Sequence, residues 1–137
     1  MKETYHVLVV EDDEQIRDGI EIYLKSQGYE VSKAADGIEG LAVLKEKEVH
    51  LAIIDVMMPR MDGYELLKTI REEGYTTPFL MLTAKEALED KQKGFSLGTD
   101  DYMTKPFSSD ELMWRTQALL RRADIAQSKK IEIGSVT

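Results

Sequence analysis

Glu11, Asp12 and Asp13 stand together directly after the apolar run Val7-Leu8-Val9-Val10, and Asp55 directly follows Leu51-Ala52-Ile53-Ile54. Thr83 follows Leu80-Met81-Leu82, and Thr104-Lys105-Pro106 follows Tyr102-Met103. If these apolar runs are neighbouring strands, carboxylates, a hydroxyl and an ammonium converge on one end of a sheet. Such a set has a definite chemistry. Carboxylates crowded together repel one another unless a divalent cation or a lysine offsets them. An all-oxygen donor set matches Mg²⁺, which binds through one or two carboxylates, keeps waters, and takes its other ligands from a phosphate. An Asp carboxylate beside Mg²⁺ can attack phosphorus and form an aspartyl-phosphate. Lys105 and Thr83 would then contact the transferred oxygens as cation and donor. Ca²⁺ fits less well, because no Asp-x-Asp-x-Asp-Gly loop with a terminal Glu is present.

Taken singly, most of these residues have ordinary explanations. Asp12 or Asp13 could cap a helix, Thr83 could cap the helix after it, and Lys105 could be a solvated loop charge. Asp55 is harder to dismiss, since burying an unpaired carboxylate after an apolar run is costly. His6 and His50 fall at strand starts and read as solvated or edge histidines. Trp114 reads as a packing or partner-facing residue. Met57, Met58 and Met61 read equally as loop packing or as a soft binding surface.

The elements that must position these groups follow from hydrophobic periodicity. Strands are expected over residues 5–10, 30–34, 50–55 and 79–82, with a short fifth strand around Tyr102 and Met103. Between them, Ile16, Ile20, Tyr23 and Leu24 recur at helical spacing, with Gly28 as a stop. Asp36 can cap a helix carrying Ile38, Leu41 and Leu44, and Gly63 opens one carrying Leu66, Leu67 and Ile70. A polar helix is expected over 86–97, closed by Gly98, and a last one over 109–122 with Leu112, Leu119 and Leu120 on one side. Five strand–helix alternations predict a three-layer α/β domain with a parallel sheet. In such sheets ligands bind beyond the carboxyl ends of the strands, where the acidic residues stand.

Composition bounds the rest. A chain of 137 residues with 42% hydrophobic residues fits one ordinary domain with a real core. Its 18 basic and 26 acidic residues leave a net charge of −8, which argues against this segment gripping a phosphate backbone by itself. With no cysteine, disulfides, zinc-thiolate sites, iron–sulfur centres and thiol nucleophiles are excluded. No apolar run approaches the roughly 20 residues of a membrane helix, and no secretory signal opens the chain. The expected location is cytoplasmic, with no membrane partner.

The strings Val9-Val10-Glu11-Asp12-Asp13, residues 55–63 (Asp-Val-Met-Met-Pro-Arg-Met-Asp-Gly), Leu82-Thr83-Ala84 and residues 100–107 (Asp-Asp-Tyr-Met-Thr-Lys-Pro-Phe) resemble the signature blocks of bacterial two-component response-regulator receiver domains. The resemblance spans roughly residues 5–122, with all blocks in order. It implies a (βα)5, flavodoxin-like fold with a five-stranded parallel sheet of order 2-1-3-4-5 and helices on both faces. It also implies that Asp55 accepts a phosphoryl group from the histidine of a sensor kinase. Glu11, Asp12, Asp55 and the main-chain carbonyl of Met57 would hold Mg²⁺, and Lys105 would pair with the phosphoryl group. Thr83 would move to hydrogen-bond that group, and Tyr102 would turn inward behind it as the switch aromatic. Such a protein is not an enzyme beyond its own phosphotransfer and slow autodephosphorylation.

Residues 91–122 resemble the dimer face of regulators carrying a winged-helix DNA-binding domain. Lys91, Asp101, Glu111 and Arg115 match the charges that pair there across a two-fold axis; Glu111 and Arg115 are also spaced as an ordinary intrahelical pair. Ser96 and Gln117 depart from the pattern, where many relatives carry an opposite-charge pair. Residues 1–123 are thus expected to form the receiver domain. Residues 124–137 would be a polar linker and, over 131–134, the first strand of an absent DNA-binding domain. A single-domain receiver with a short tail is the alternative. Two other functions fit less well. Aspartate-nucleophile phosphatases need a second Asp two residues after the first, where Met57 stands and cannot transfer a proton. A nucleotide-binding domain would need a glycine-rich phosphate loop, and the first turn is acidic instead.

Overall fold

β1 (His6–Val10) and β3 (Leu51–Asp55) are almost wholly buried, as strands covered on both faces must be. With β2 (Glu30–Ala34), β4 (Phe79–Ala84) and β5 (Asp101–Lys105) they form one parallel sheet of order β2-β1-β3-β4-β5. The computed structural model describes residues 4–58, 60–84 and 100–136. Its helices are α1 (Glu14–Ser26), α2 (Gly37–Glu46), α3 (Gly63–Glu72) and α4 (Ser109–Val136).

The period-two alternation of the strands sorts their side chains into two cores. Leu8, Val10, Ala52, Ile54, Phe79 and Met81 face one side and pack with Leu44 of α2 and Leu66, Leu67 and Ile70 of α3. Val7, Val9, Leu51, Ile53, Leu80 and Leu82 face the other and pack with Ile20 and Leu24 of α1 and Leu112, Leu119 and Leu120 of α4. The expected three layers and sheet order are what the chain adopts.

Three of the helices start on an Asp cap that also ends a strand–helix turn. Asp13 accepts from the Ile16 amide at 3.1 Å and Asp36 from the Glu39 amide at 2.9 Å. Asp62 and Glu65 form a reciprocal capping box. Gly28 ends the turn after α1 at φ +93°, a conformation that suits glycine.

Four details differ from the expectations. α4 does not stop at residue 122, and residues 131–134 form no strand: the helix runs to Val136. An alternating Ile-Glu-Ile fragment needs a partner strand to bond its backbone, whereas a helix satisfies the same groups internally. Ile38, placed on the apolar side of α2, is 48% exposed in its first turn. The histidines are half-buried and bonded rather than solvated. The His6 amide donates to His50 Nδ1 at 2.9 Å, and His6 Nε2 lies 2.7 Å from Ser32 Oγ. The polar helix expected over 86–97, with Lys91, Ser96 and Gly98, lies outside the described residues, as does Pro59.

Candidate functional site

All five strands run in the same direction, so their carboxyl ends share one edge of the sheet. Glu11 follows β1 and is held there by its backbone: its amide donates to the Ala34 carbonyl at 3.1 Å, and Arg17 Nη1 donates to its carbonyl at 2.8 Å. Asp55 ends β3, pairing with Leu82 of β4, and Lys105 ends β5. Glu11, Asp12 and Asp55 each offer an oxygen, and these lie within 4.8 Å of one another. Glu11 and Asp55 are buried and Asp12 is exposed, so the cluster opens to solvent on one side. Asp13 is diverted to its capping role.

Lys105 supplies the compensating charge. Its Nζ donates to Glu11 Oε1 at 2.8 Å and lies 3.4 Å from Asp55 Oδ1. The balance is incomplete. Burial, with the Glu11 charge beside it, pushes the Asp55 carboxyl up to about 7, against the opposing pull of Lys105. Burial works to lower the Lys105 ammonium, but the bonds and charges of Glu11 and Asp55 outweigh it and leave it raised. Two buried carboxylates and an exposed third, sharing one ammonium, form a negative pocket whose hard oxygen donors suit Mg²⁺.

The sign of this imbalance is testable. A carboxyl whose folded pKa is raised binds its proton more tightly in the native state. Its contribution is fully present below the unfolded value of 3.8 and is lost as pH rises through about 7. With divalent cations chelated, melting should show wild-type stability falling between about pH 5 and pH 7.5. Asp55→Asn should fall less and should outlast wild type at the upper end. Parallel profiles for the two proteins would contradict the raised pKa.

Thr83, next to last in β4, is buried and pairs in register with Thr104. Met57 sits in the turn after β3 and is 69% exposed. The Tyr102 ring is already buried, and its hydroxyl lies 3.1 Å from that of Tyr64, in the first turn of α3. Arg115 bonds Asp101 at 2.7 Å and Glu111 at 3.0 Å within one chain. Three of the four expected dimer-face residues thus form one charged cluster on β5 and α4, and Lys91 is outside the described residues. Sequence reasoning missed Tyr64 and Arg60, which meet their partners only through tertiary packing. Among the described residues no helix is long and apolar enough to cross a membrane.

A family model described as "Response regulator receiver domain" matches residues 7–117. The chain belongs to that family. As a receiver domain it is similar to the transcriptional regulatory protein DltR of Streptococcus agalactiae, 38% identical over 130 residues. It is also similar to the heme response regulator HssR of Staphylococcus aureus, 41% identical over 130 residues. In both, the match takes in 95% of this chain but 58% of the relative, so the receiver spans little more than half the length of those regulators. Among solved structures, the Francisella response regulator 1452 receiver domain superposes with a TM-score of 0.82 at 39% identity, covering 87% of this chain and 98% of the other. A receiver domain protein from Methanospirillum hungatei gives a TM-score of 0.86 at 30% identity, covering 90% and 99%. The chain is the receiver domain of a two-component response regulator.

Proposed function

We propose that Asp55 is the phosphoacceptor of this receiver, taking a phosphoryl group from the histidine of a sensor kinase in the cytoplasm with Mg²⁺ as cofactor. The observation that carries the reading is the buried Asp55 carboxylate grouped with Glu11 and Asp12 and only partly offset by Lys105. Glu11, Asp12, Asp55 and the Met57 carbonyl would hold Mg²⁺, which supplies neutralising charge to the pocket and the incoming phosphate. An Asp55 oxygen forms the new bond to phosphorus while the bond from phosphorus to the donor nitrogen breaks, and the imidazole leaves as a neutral ring after taking a proton. Lys105 holds the transferred oxygens by charge, and Thr83 by a hydrogen bond. The phosphatase alternative still lacks its acid, because an exposed methionine stands at residue 57.

Phosphorylation replaces the Asp55 carboxylate charge with a phosphoryl group carrying about −1.5 to −2 charges beside Thr83 and Lys105. Moving a population from 1:99 to 99:1 takes about 5.5 kcal/mol of differential interaction. A few charge-assisted hydrogen bonds at about 1.5–3 kcal/mol each supply that. Thr83 drawn toward the phosphoryl group fixes the buried Tyr102 behind it, and the face that includes β5 and α4 repacks. That face would then pair with a second copy through Lys91, Asp101, Glu111 and Arg115, exchanging the internal bonds of Arg115 for bonds across a two-fold axis. The name of the relative DltR carries a transcriptional output, and we assign contact with DNA to a winged-helix part of the full regulator, with residues 124–137 as the connection.

The test combines intact mass and sedimentation. Incubation with a small acyl-phosphate donor and Mg²⁺ should add one phosphoryl group and shift the monomer toward a dimer. Arg115→Glu should keep the mass increase and lose the dimer. No mass increase would overturn the phosphoacceptor reading, and an Arg115→Glu variant that dimerises normally would overturn the interface.

A further inference from the structure

Arg60 has φ +67°, the left-handed region that favours glycine. A side chain there costs roughly 1–2 kcal/mol, so the surrounding structure must hold it. Its guanidinium reaches back to the start of α2, where Nε and Nη2 both donate to one oxygen of Asp36, Nε at 2.7 Å. Asp36 is only 6% exposed, and its other oxygen caps α2 on the Glu39 amide. Burial alone would raise this carboxyl; the Glu39 amide and the Arg60 charge overcome it and hold it below the usual range.

A second grip lies beside the first. The Gly37 amide donates to the Met61 carbonyl at 3.1 Å, and a Cβ on Gly37 would fall 2.3 Å from that same oxygen. Only glycine lets α2 come this close. At the far side of the loop, the Gly63 amide donates to the Val56 carbonyl at 2.9 Å, and a Cβ there would lie 2.7 Å from the Asp55 carbonyl. The turn between Asp55 and α3, which carries Met57, is thus fastened to α2 through residues 60 and 61 and closed on itself at residue 63.

We infer that Asp36 and Arg60 are positioning residues for the acidic site: their ion pair fixes the turn after Asp55 and so sets the affinity of the Glu11–Asp12–Asp55 cluster for a divalent cation. This rests on reading that cluster as a cation site. The Arg60 guanidinium is half exposed, so solvent screens its pull on the buried Asp36 carboxylate. A glycine would suit the backbone better. The charge of Arg60 itself opposes a nearby cation, so its removal acts in opposite directions under the two explanations. Lost charge tightens cation binding, whereas lost positioning weakens it.

The experiment measures Mn²⁺ binding to the full chain by electron paramagnetic resonance, with no phosphodonor, alongside thermal melting. Arg60→Gly should bind Mn²⁺ about tenfold more weakly, in the range of lost outer-shell partners, with a melting temperature equal to or above wild type. Asp36→Asn with Arg60→Gly should weaken binding no further than Arg60→Gly alone, as partners in one pair do. Arg60→Gly binding as tightly as wild type, or losses that simply add, would overturn the positioning role. Asp12→Asn serves as control: if it loses Mn²⁺ while Arg60→Gly does not, only the clamp is wrong. If Asp12→Asn binds like wild type, the cation reading fails and the clamp falls with it.

Discussion

Asp55→Asn should take up no phosphoryl group from an acyl-phosphate donor, read as an unchanged intact mass under conditions where the wild-type chain is fully modified. The amide that replaces the carboxylate is a very poor nucleophile toward phosphorus. Its neighbours cannot substitute for it. Glu11 is buried and committed to Lys105 at 2.8 Å and to the Asp13 amide at 3.1 Å, and Asp12 is the exposed member of the cluster. The fold should survive, because Asn keeps the volume of Asp and removes the carboxylate whose burial raises its pKa to about 7. Incorporation persisting at the wild-type level would sink the assignment.

The second large effect concerns the metal. Glu11→Gln combined with Asp12→Asn leaves Asp55 and Lys105 as a balanced pair, so the pocket no longer attracts a divalent cation. Affinity for Mg²⁺ should fall by more than ~100-fold, since outer-shell changes alone cost about 10–100-fold. Calorimetric melting reads this directly. Ligand at a hundredfold excess over its Kd stabilises a native protein by about 2.7 kcal/mol. The wild-type chain should therefore melt higher with saturating Mg²⁺, and the double variant should show no rise and no phosphotransfer. If a chelator leaves the wild-type phosphorylation rate untouched, the metal has no part in the reaction.

Most of the frame was legible because it rests on local periodicity. The strand runs and helical spacings gave the order of the described elements, and the resemblance supplied the sheet order that the structure adopts. Glu11, Asp12, Asp55 and Lys105 could be grouped before any coordinates because parallel strands put all their carboxyl ends on one edge. What escaped depends on meetings between distant elements. Nothing in the string around Arg60 says that its backbone turns left-handed or that Asp36, already explained as a cap, takes a guanidinium on its second oxygen. Tyr64 looks like any helix residue until Tyr102 is found 3.1 Å away. Arg115 and Glu111 were readable as an intrahelical pair, but the bond to Asp101 needs β5 laid beside α4. The extension of α4 to Val136 was missed because a short apolar alternation suits either state.

The ammonium that steadies the acidic pocket lies 94 residues along the chain from the Glu11 carboxylate it binds. During synthesis, Glu11, Asp12 and Asp55 all leave the ribosome well before Lys105 does. Until β5 docks against β4, at the sheet's edge, buried carboxylates face one another without that counter-charge. A half-made or clipped chain lacking this strand cannot bring Lys105 to the Glu11 and Asp55 carboxylates. The charge balance of the acidic cluster therefore arrives only with β5, and folding of the earlier strands alone leaves it unset.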